Sequence, residues 1–398
     1  MKILFQNNKE FPEPYGDYVV GLTEMDFIDK NRKELFGSSE NNDRKIPIII
    51  FYPADHNFEK TKALYTFKEE AESINKATRG LVSSKSQYIK MNCYRDIPIS
   101  TKQNKYPIIF FNHGYNCHMM QNSVLCSDLA SKGYIVVSVG HPYETSILKY
   151  TDGQIVKANK SIIEEFKRTM DSNVNKKFKE MKKNNYIDEE LLPIAADFFD
   201  YFKDTKVWDH VKIWSDDNRF IADMMEQLDD GSIPSQFEGK LNIRNGIGIT
   251  GHSYGGCAAS QVCLDDSRFV CGINIDAPTY GEFWDKNLNK PYMVIGSKMI
   301  EYLARTTFLK NSADSYLITV DHTTHMDFTD FIYYARQLKF LKVLGKRKKA
   351  LLRDILSHYH IMFFDKYLRN NHNSEITEKV SKGMGIRWKE SEAASNNN

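Results

Sequence analysis

The run Gly246-Ile247-Gly248-Ile249-Thr250-Gly251-His252-Ser253-Tyr254-Gly255-Gly256 constrains this chain more than any other stretch. A short apolar strand, Gly246–Thr250, leads straight into Gly251-His252-Ser253-Tyr254-Gly255. The small residues Gly256, Cys257, Ala258 and Ala259 then start a helix. This is the G-x-S-x-G pattern, in which a serine is held at the tip of a sharp strand-to-helix turn. The glycines have a steric role: a side chain two positions before or after Ser253 would collide with the neighbouring strand or helix. The flanking strand and helix carry most of the specificity, because the bare pattern arises by chance.

The rest of the chain supplies the sheet that such a turn requires. Ile46–Tyr52, Pro107–Asn112, Tyr134–Val139, Val270–Ile275, Tyr292–Gly296 and Tyr316–Val320 read as strands. Most are continuous apolar runs, as in parallel strands covered on both faces. Between them, helices are expected over Met119–Ser131 (stopped by Gly133), Val207–Leu228, Cys257–Leu264 and Ile300–Leu309. Helices are also expected through most of Met326–Leu344 and Lys348–Leu368. Alternating strands and helices predict an α/β architecture, a doubly wound and mostly parallel sheet with helices on both faces. Asp55–Lys105 offers helix-like patches and little else. Residues 151–206, rich in Lys, Glu and Asn, read as a helical insertion without strands, either a cap over the site or a solvated excursion. The expected organisation is one domain over residues 1–380 and a disordered tail over 381–398.

Bulk properties narrow the function. A chain of 398 residues with 41% hydrophobic content can bury a large core, and its net charge of +2 gives no field suited to nucleic acid. The first nine residues hold only three consecutive apolar ones, against the roughly seven of a signal-peptide core, and no stretch approaches a membrane span. The six cysteines include no C-x-x-C pair, so neither a zinc site nor a disulfide framework is expected. A cytoplasmic protein with reduced thiols, no metal and no cofactor is the reading. Nothing in the chain specifies an oligomeric state.

A serine hydroxyl becomes a nucleophile when a histidine takes its proton and a carboxylate holds that imidazole in the right tautomer. In the α/β-hydrolase arrangement the order along the chain is serine, acid, histidine. Asp276 ends the strand after the elbow helix and fits the acid; the competing reading is a turn-forming aspartate. His325 and His322 both follow the strand Tyr316–Val320. His325 is favoured because a helix starts just after it, and Asp321 is the weaker acid candidate. An oxyanion hole needs two backbone N–H donors. Tyr254, next after the serine, supplies one. Tyr115, in the loop Asn112-His113-Gly114-Tyr115-Asn116, supplies the other. His113 lies upstream of the serine and is read as a loop brace.

These residues resemble a known family. Phe110-Phe111-Asn112-His113-Gly114-Tyr115, Ser127–Val139, Gly140-His141-Pro142, Gly251–Gly256, Arg268–Ala277 and His325–Phe331 are similar to the platelet-activating-factor acetylhydrolases of the plasma and intracellular type II kind. They are equally similar to related microbial dienelactone-hydrolase-like proteins. Asp17–Gly21 and Ile49–Pro53 resemble the family's N-terminal β-portion, so the likeness spans roughly residues 15–370. It implies an α/β-hydrolase fold and metal-free hydrolysis of an ester by Ser253, Asp276 and His325, with the amides of Tyr115 and Tyr254 as the oxyanion hole. It also implies a small ester or phospholipid substrate carrying a short acyl group. The animal enzymes usually carry Leu and Phe where this chain has Tyr115 and Tyr254, and the 151–206 insertion is unlike theirs.

Other readings stay open at this stage. A generic carboxylesterase or a lipase would use the same constellation, and an inactive hydrolase-fold binding protein would keep the fold alone. Lys346-Arg347-Lys348-Lys349 and the helix after it could make a weak membrane-surface contact. They equally read as the closing helix of the fold with a solvated lead-in.

Overall fold

The computed structural model describes residues 10–37, 42–55, 61–171, 176, 180, 186–372 and 376–391. The first nine residues, on which the leader reading rested, lie outside them. The described strands are β1 (Val19–Lys33), β2 (Asp43–Ala54), β3 (Lys62–Leu64), β4 (Lys90–Arg95), β5 (Ile108–Asn112), β6 (Ile135–Val139), β7 (Ile147–Lys149), β8 (Ile155–Lys157), β9 (Ile247–His252), β10 (Phe269–Ile275), β11 (Tyr292–Ser297), β12 (Ser315–Val320) and β13 (Met384–Lys389). Eleven of them form one sheet in the order β13-β12-β11-β10-β9-β5-β6-β2-β1-β4-β3, and β7 and β8 make a separate hairpin. The six strands from β6 through β5, β9, β10 and β11 to β12 are mutually parallel. The expected α/β sheet is therefore present. It is extended on one side by the antiparallel pairs β6–β2 and β2–β1.

Residues on the two faces of each strand enter different cores. Ile108 and Phe110 of β5 belong to one cluster with Trp214, Val262 and Phe269. Ile109 and Phe111 belong to the other with Leu125, Leu129, Ile273 and Phe363. The longer described helices are α1 (Lys68–Ala77), α2 (Ser123–Ser131), α3 (Lys160–Asp171), α4 (Asp188–Asp200), α5 (Lys206–Asp229), α6 (Tyr254–Asp265), α7 (Glu301–Lys310) and α8 (Lys349–Leu368). Helix α5 buries Val207, Val211, Trp214, Asn218, Ile221, Met225 and Leu228 at three- and four-residue spacing, which is why it lies along the sheet. Helix α8 buries Leu352, Ile355, Leu356, Tyr359, Phe363 and Phe364 on the opposite face. Its role is to close the fold. Phe110 and Phe111 are fully buried, and removing a ring so placed costs about 3–5 kcal/mol.

Three sequence readings need correction. The stretch 151–206 is not strand-free, since Ile155–Lys157 pairs antiparallel with Ile147–Lys149 before α3 begins. Three-residue strands carry too little periodicity to be read from sequence. The expected tail contains β13, which pairs residue by residue with β12 from Ser315↔Lys389 to Val320↔Met384. It covers an edge that would otherwise leave unpaired backbone groups, and residues 392–398 of that tail lie outside the described residues. Met326–Leu344, read as mostly helical, holds only short turns, the longest α-helical one being Phe331–Tyr334.

His113, His118, His141, His252 and His360 all have their pKa lowered by burial in this fold. Burial lowers the His118 and His360 imidazoles to about 4, and it drives His113 and His252 well below their usual range. A base whose folded pKa is depressed adds stability above its unfolded pKa of about 6.5, and that stability is lost as pH falls toward the folded value. At His118 and His360 this shift contributes about 3 kcal/mol each. Thermal unfolding is therefore expected to give a Tm that falls between about pH 6.5 and 4, partly offset by the Glu70 carboxyl, which burial raises to about 8 and whose contribution is lost as pH rises toward that value. A Tm unchanged down to pH 4.5 would contradict it.

Candidate active site

Strands β5, β9 and β10 end level with one another, Asn112 opposite Gly251 and Ile275 opposite His252. Functional groups gather at this carboxyl edge of a parallel sheet. Ser253 follows β9 with φ 55° and ψ −128°, a left-handed conformation costing about 1–3 kcal/mol for a residue with a Cβ. The turn is pinned on both sides: Ser253 N donates to Ile275 O at 2.9 Å, and Gly256 N donates to Ser253 O at 2.8 Å. A Cβ at Gly251 would land on the Gly255 carbonyl, and one at Gly255 on the carbonyls of Asn112 and His113. Both glycines are therefore required by close backbone approach, as the sequence pattern indicated.

The structure brings Ser253, His325 and Asp276 into one hydrogen-bonded line. Ser253 Oγ donates to His325 Nε2 at 2.8 Å, and His325 Nδ1 donates to Asp276 Oδ2 at 2.7 Å. Asp276 is fully buried, while the His325 side chain is partly exposed. The other carboxylate oxygen, Asp276 Oδ1, accepts from Ser297 N at 2.6 Å and Ser297 Oγ at 2.8 Å. Ser297 ends β11, and sequence reasoning did not find it. Its signal is position alone, at the end of the strand next to the one carrying the acid. His322 is exposed in a left-handed turn with φ 61°, and Asp321 pairs with Lys298 at 3.0 Å; neither joins the line.

Tyr115 and Tyr254 lie side by side, ring centroids 5.1 Å apart. Tyr254 opens α6, so its amide sits at the positive end of a twelve-residue helix. The loop carrying Tyr115 abuts the nucleophile, since a Cβ on Gly114 would lie 3.3 Å from Ser253 Cβ. His113 braces this loop as expected: its Nδ1 donates to Gly114 O at 2.7 Å and its Nε2 faces Thr145 Oγ1 at 2.9 Å. A second brace was not read from the sequence. Gly114 N donates to Gln121 Oε1 at 2.7 Å, Gln121 Nε2 meets His252 Nδ1 at 2.8 Å, and His252 Nε2 meets His325 O at 3.0 Å.

The family model described as platelet-activating factor acetylhydrolase, isoform II, matches residues 3–385. The chain belongs to that family. Among curated relatives, the platelet-activating factor acetylhydrolase of Cavia porcellus is 24% identical over 383 residues, covering 94% of this chain and 81% of its own. That of Gallus gallus is 23% identical over 314 residues, covering 71% of this chain and 66% of its own. A probable 1-alkyl-2-acetylglycerophosphocholine esterase of Arthroderma benhamiae is 20% identical, covering 72% of this chain and 65% of its own. The matched region thus spans about two thirds of two of these relatives. A ferulic acid esterase from Streptomyces cinnamoneus has the same fold, with a TM-score of 0.72 at 20% identity over 95% of this chain and 99% of its own.

Within this platelet-activating factor acetylhydrolase framework, both tyrosines carry side-chain roles. Tyr254 OH donates to Val207 O at 2.6 Å, tying the elbow helix to α5. The Tyr115 ring stacks on Phe166 of α3 at 3.9 Å and 13°. Phe166 also meets the Tyr254 ring edge-on at 5.5 Å. Phe166 of the insertion therefore touches the side chains of both candidate oxyanion donors. Beneath them, Trp214 stacks on His141 at 3.7 Å and donates Nε1–H to Glu144 Oε2 at 2.8 Å. Arg44 holds Asp217 through two bonds of 2.7 Å, and Asp217 holds His141, whose other nitrogen faces Asn112 at the end of β5. No sequence motif marks this buried network, because its members come from β2, β5, α5 and the turn after β6.

Proposed function

We propose that this carboxylic ester hydrolase works through an acyl-Ser253 intermediate on small esters or phospholipids carrying a short acyl group. The Ser253–His325–Asp276 line carries the reading, because it joins a nucleophile, a base and an orienting acid in one chain of hydrogen bonds. His325 Nε2 takes the Ser253 proton as Oγ attacks the carbonyl carbon. The amides of Tyr115 and Tyr254 receive the developing oxyanion. His325 then gives its proton to the leaving alcohol oxygen. Water, deprotonated by His325, attacks the acyl carbon and releases the acid. Throughout, Asp276 stabilises the imidazolium.

The 1-alkyl-2-acetylglycerophosphocholine esterase name of the fungal relative supports an acetyl ester of a phospholipid as substrate. The stack of Phe166 on Tyr115 supports reading the insertion as a cap that walls the site. Six free cysteines, five of them buried, support a reducing, cytoplasmic setting. No described helix is long and apolar enough to cross a membrane. Of the stretch read as a weak membrane-surface contact, Lys346 and Lys348 are exposed, beside exposed Lys339, Phe340, Leu341 and Lys342, which supports such a contact there; Arg347 and the apolar face of α8 are buried and take no part in it. Sedimentation with anionic vesicles reads that contact.

The deciding experiment is hydrolysis of p-nitrophenyl esters from acetate to palmitate. Activity is expected to be highest on acetate and to fall with chain length. A preference for long chains would keep the triad and move the enzyme to the lipases. A folded protein that cleaves none and resists a fluorophosphonate would be a binding protein on a hydrolase fold.

A further inference from the structure

Gln121 and His252 lie between two backbone groups of fixed polarity. At one end is the Gly114 N–H, which can only donate; at the other is the His325 carbonyl, which can only accept. Both side chains are buried. With these ends, one arrangement satisfies every atom. Gly114 N–H donates to Gln121 Oε1, Gln121 Nε2–H donates to His252 Nδ1, and His252 Nε2–H donates to the His325 carbonyl. His252 must then be neutral with its proton on Nε2. Its burial and the neighbouring His325 ring, 4.6 Å away, both oppose a charge there. The base loop also fixes Gln121 from behind: Asp330 N donates to Gln121 O at 2.9 Å, and the adjacent Asn122 Nδ2 donates to Phe328 O at 2.6 Å.

We infer that Gln121 and His252 are positioning residues, a one-way hydrogen-bond chain that sets the oxyanion loop and the catalytic histidine at a fixed distance from Ser253. The chain joins three parts that come from separate stretches of sequence: the Gly114 loop, the residue before the nucleophile, and the segment carrying the base. Neither side chain takes part in proton transfer. Their contribution is that the N–H donor at Tyr115 and the imidazole of His325 keep their mutual geometry as charge develops, where a displacement of about 1 Å costs on the order of a hundredfold in rate. The inference rests on the esterase reading above and deepens it.

The test is steady-state hydrolysis of p-nitrophenyl acetate across pH 5–10 by wild type, Gln121→Met and Gln121→Glu. Methionine keeps the volume and removes both polar ends, so kcat is expected to fall about 10- to 100-fold with KM within about threefold. Glutamate is the sharper probe. With one proton held between its carboxylate and His252 Nδ1, the chain is intact and activity is near wild type. Once that proton leaves, two acceptors face each other and the chain breaks. Gln121→Glu is therefore expected to show a falling alkaline limb that wild type lacks, a signature that loss of packing alone does not produce. An unchanged kcat in folded Gln121→Met, or a Gln121→Glu profile matching wild type, overturns the inference; should the methionine variant not fold, the near-isosteric glutamate decides. Nitrogen-15 NMR of the histidines reads the chain independently of activity. His252 should remain the Nε2–H tautomer from pH 8 to 5.5, and titration of His252 in that range would overturn the assignment. Wild type inactive on every ester with His252 held in that tautomer would sink the esterase reading and leave the chain itself standing.

Discussion

Ser253→Ala is expected to lower kcat for p-nitrophenyl acetate about a million-fold, while the protein stays folded with a Tm within about 2 °C of wild type. The size of the loss follows from the chemistry: without Oγ there is no acyl-enzyme, and only the oxyanion donors and binding remain to accelerate attack by water. The small effect on stability follows from the turn. Ser253 is held by two backbone bonds, its N–H to Ile275 and its carbonyl to Gly256, and alanine retains both. The left-handed strain of the turn is common to serine and alanine because both carry a Cβ. Removing Oγ also leaves His325 Nε2 without its partner, but that ring is partly exposed and water can take the place. Stopped assays and intact-mass spectra after fluorophosphonate treatment check the point. Label on the alanine variant, or loss of activity below about a hundredfold, would remove Ser253 from the nucleophile's role.

The parts of this molecule that were legible in its sequence share one property: the information is local. The elbow is legible because its steric demands fall within eleven consecutive residues, and the close approaches at Gly251 and Gly255 are what those demands describe. Strands β5, β6 and β9 to β12 were legible because burial on both faces writes an uninterrupted apolar run. Asp276 was read from its place at a strand end and His325 from the helix expected just after it; the structure sets both in line with Ser253 and leaves His322 exposed in a left-handed turn. What was missed depends on pairing between distant segments. β13 alternates weakly and is specified by the open edge of β12. β4 pairs with β1 across some seventy residues, and Asp55–Lys105 gave no hint of it. Gln121 and Ser297 are ordinary polar residues in sequence. Gln121 is placed by the backbone amides of Gly114 and Asp330, and Ser297 by the carboxylate of Asp276, partners on other segments that no single-chain pattern records.

Asp276→Asn tests the acid most sharply, because the substitution preserves shape and alters only donor and acceptor. In the native site Oδ1 accepts two hydrogen bonds from Ser297, one from the amide at 2.6 Å and one from Oγ at 2.8 Å, and Oδ2 accepts from His325 Nδ1 at 2.7 Å. Asparagine has one acceptor oxygen to offer. Facing its NH2 toward Ser297 would set donor against the backbone N–H, which cannot reverse, and leave buried groups unpaired at a cost of about 1–3 kcal/mol. The oxygen therefore stays with Ser297, and the NH2 faces His325. A donor at that position makes His325 Nδ1 the acceptor and moves the ring proton to Nε2, so the nitrogen aimed at Ser253 can no longer take its proton. The expected result is a kcat lower by about 10,000-fold with KM and Tm little changed, the size of loss that a reversed tautomer produces in a serine triad. Ser297→Ala offers a graded comparison. It removes the Oγ bond but keeps the amide, so the carboxylate still accepts from His325 and the loss should be on the order of tenfold. A loss below tenfold in Asp276→Asn, with a large one in Asp321→Asn, would move the acid to the other aspartate. The ion pair of Asp321 with Lys298, away from the imidazole, argues for the first outcome.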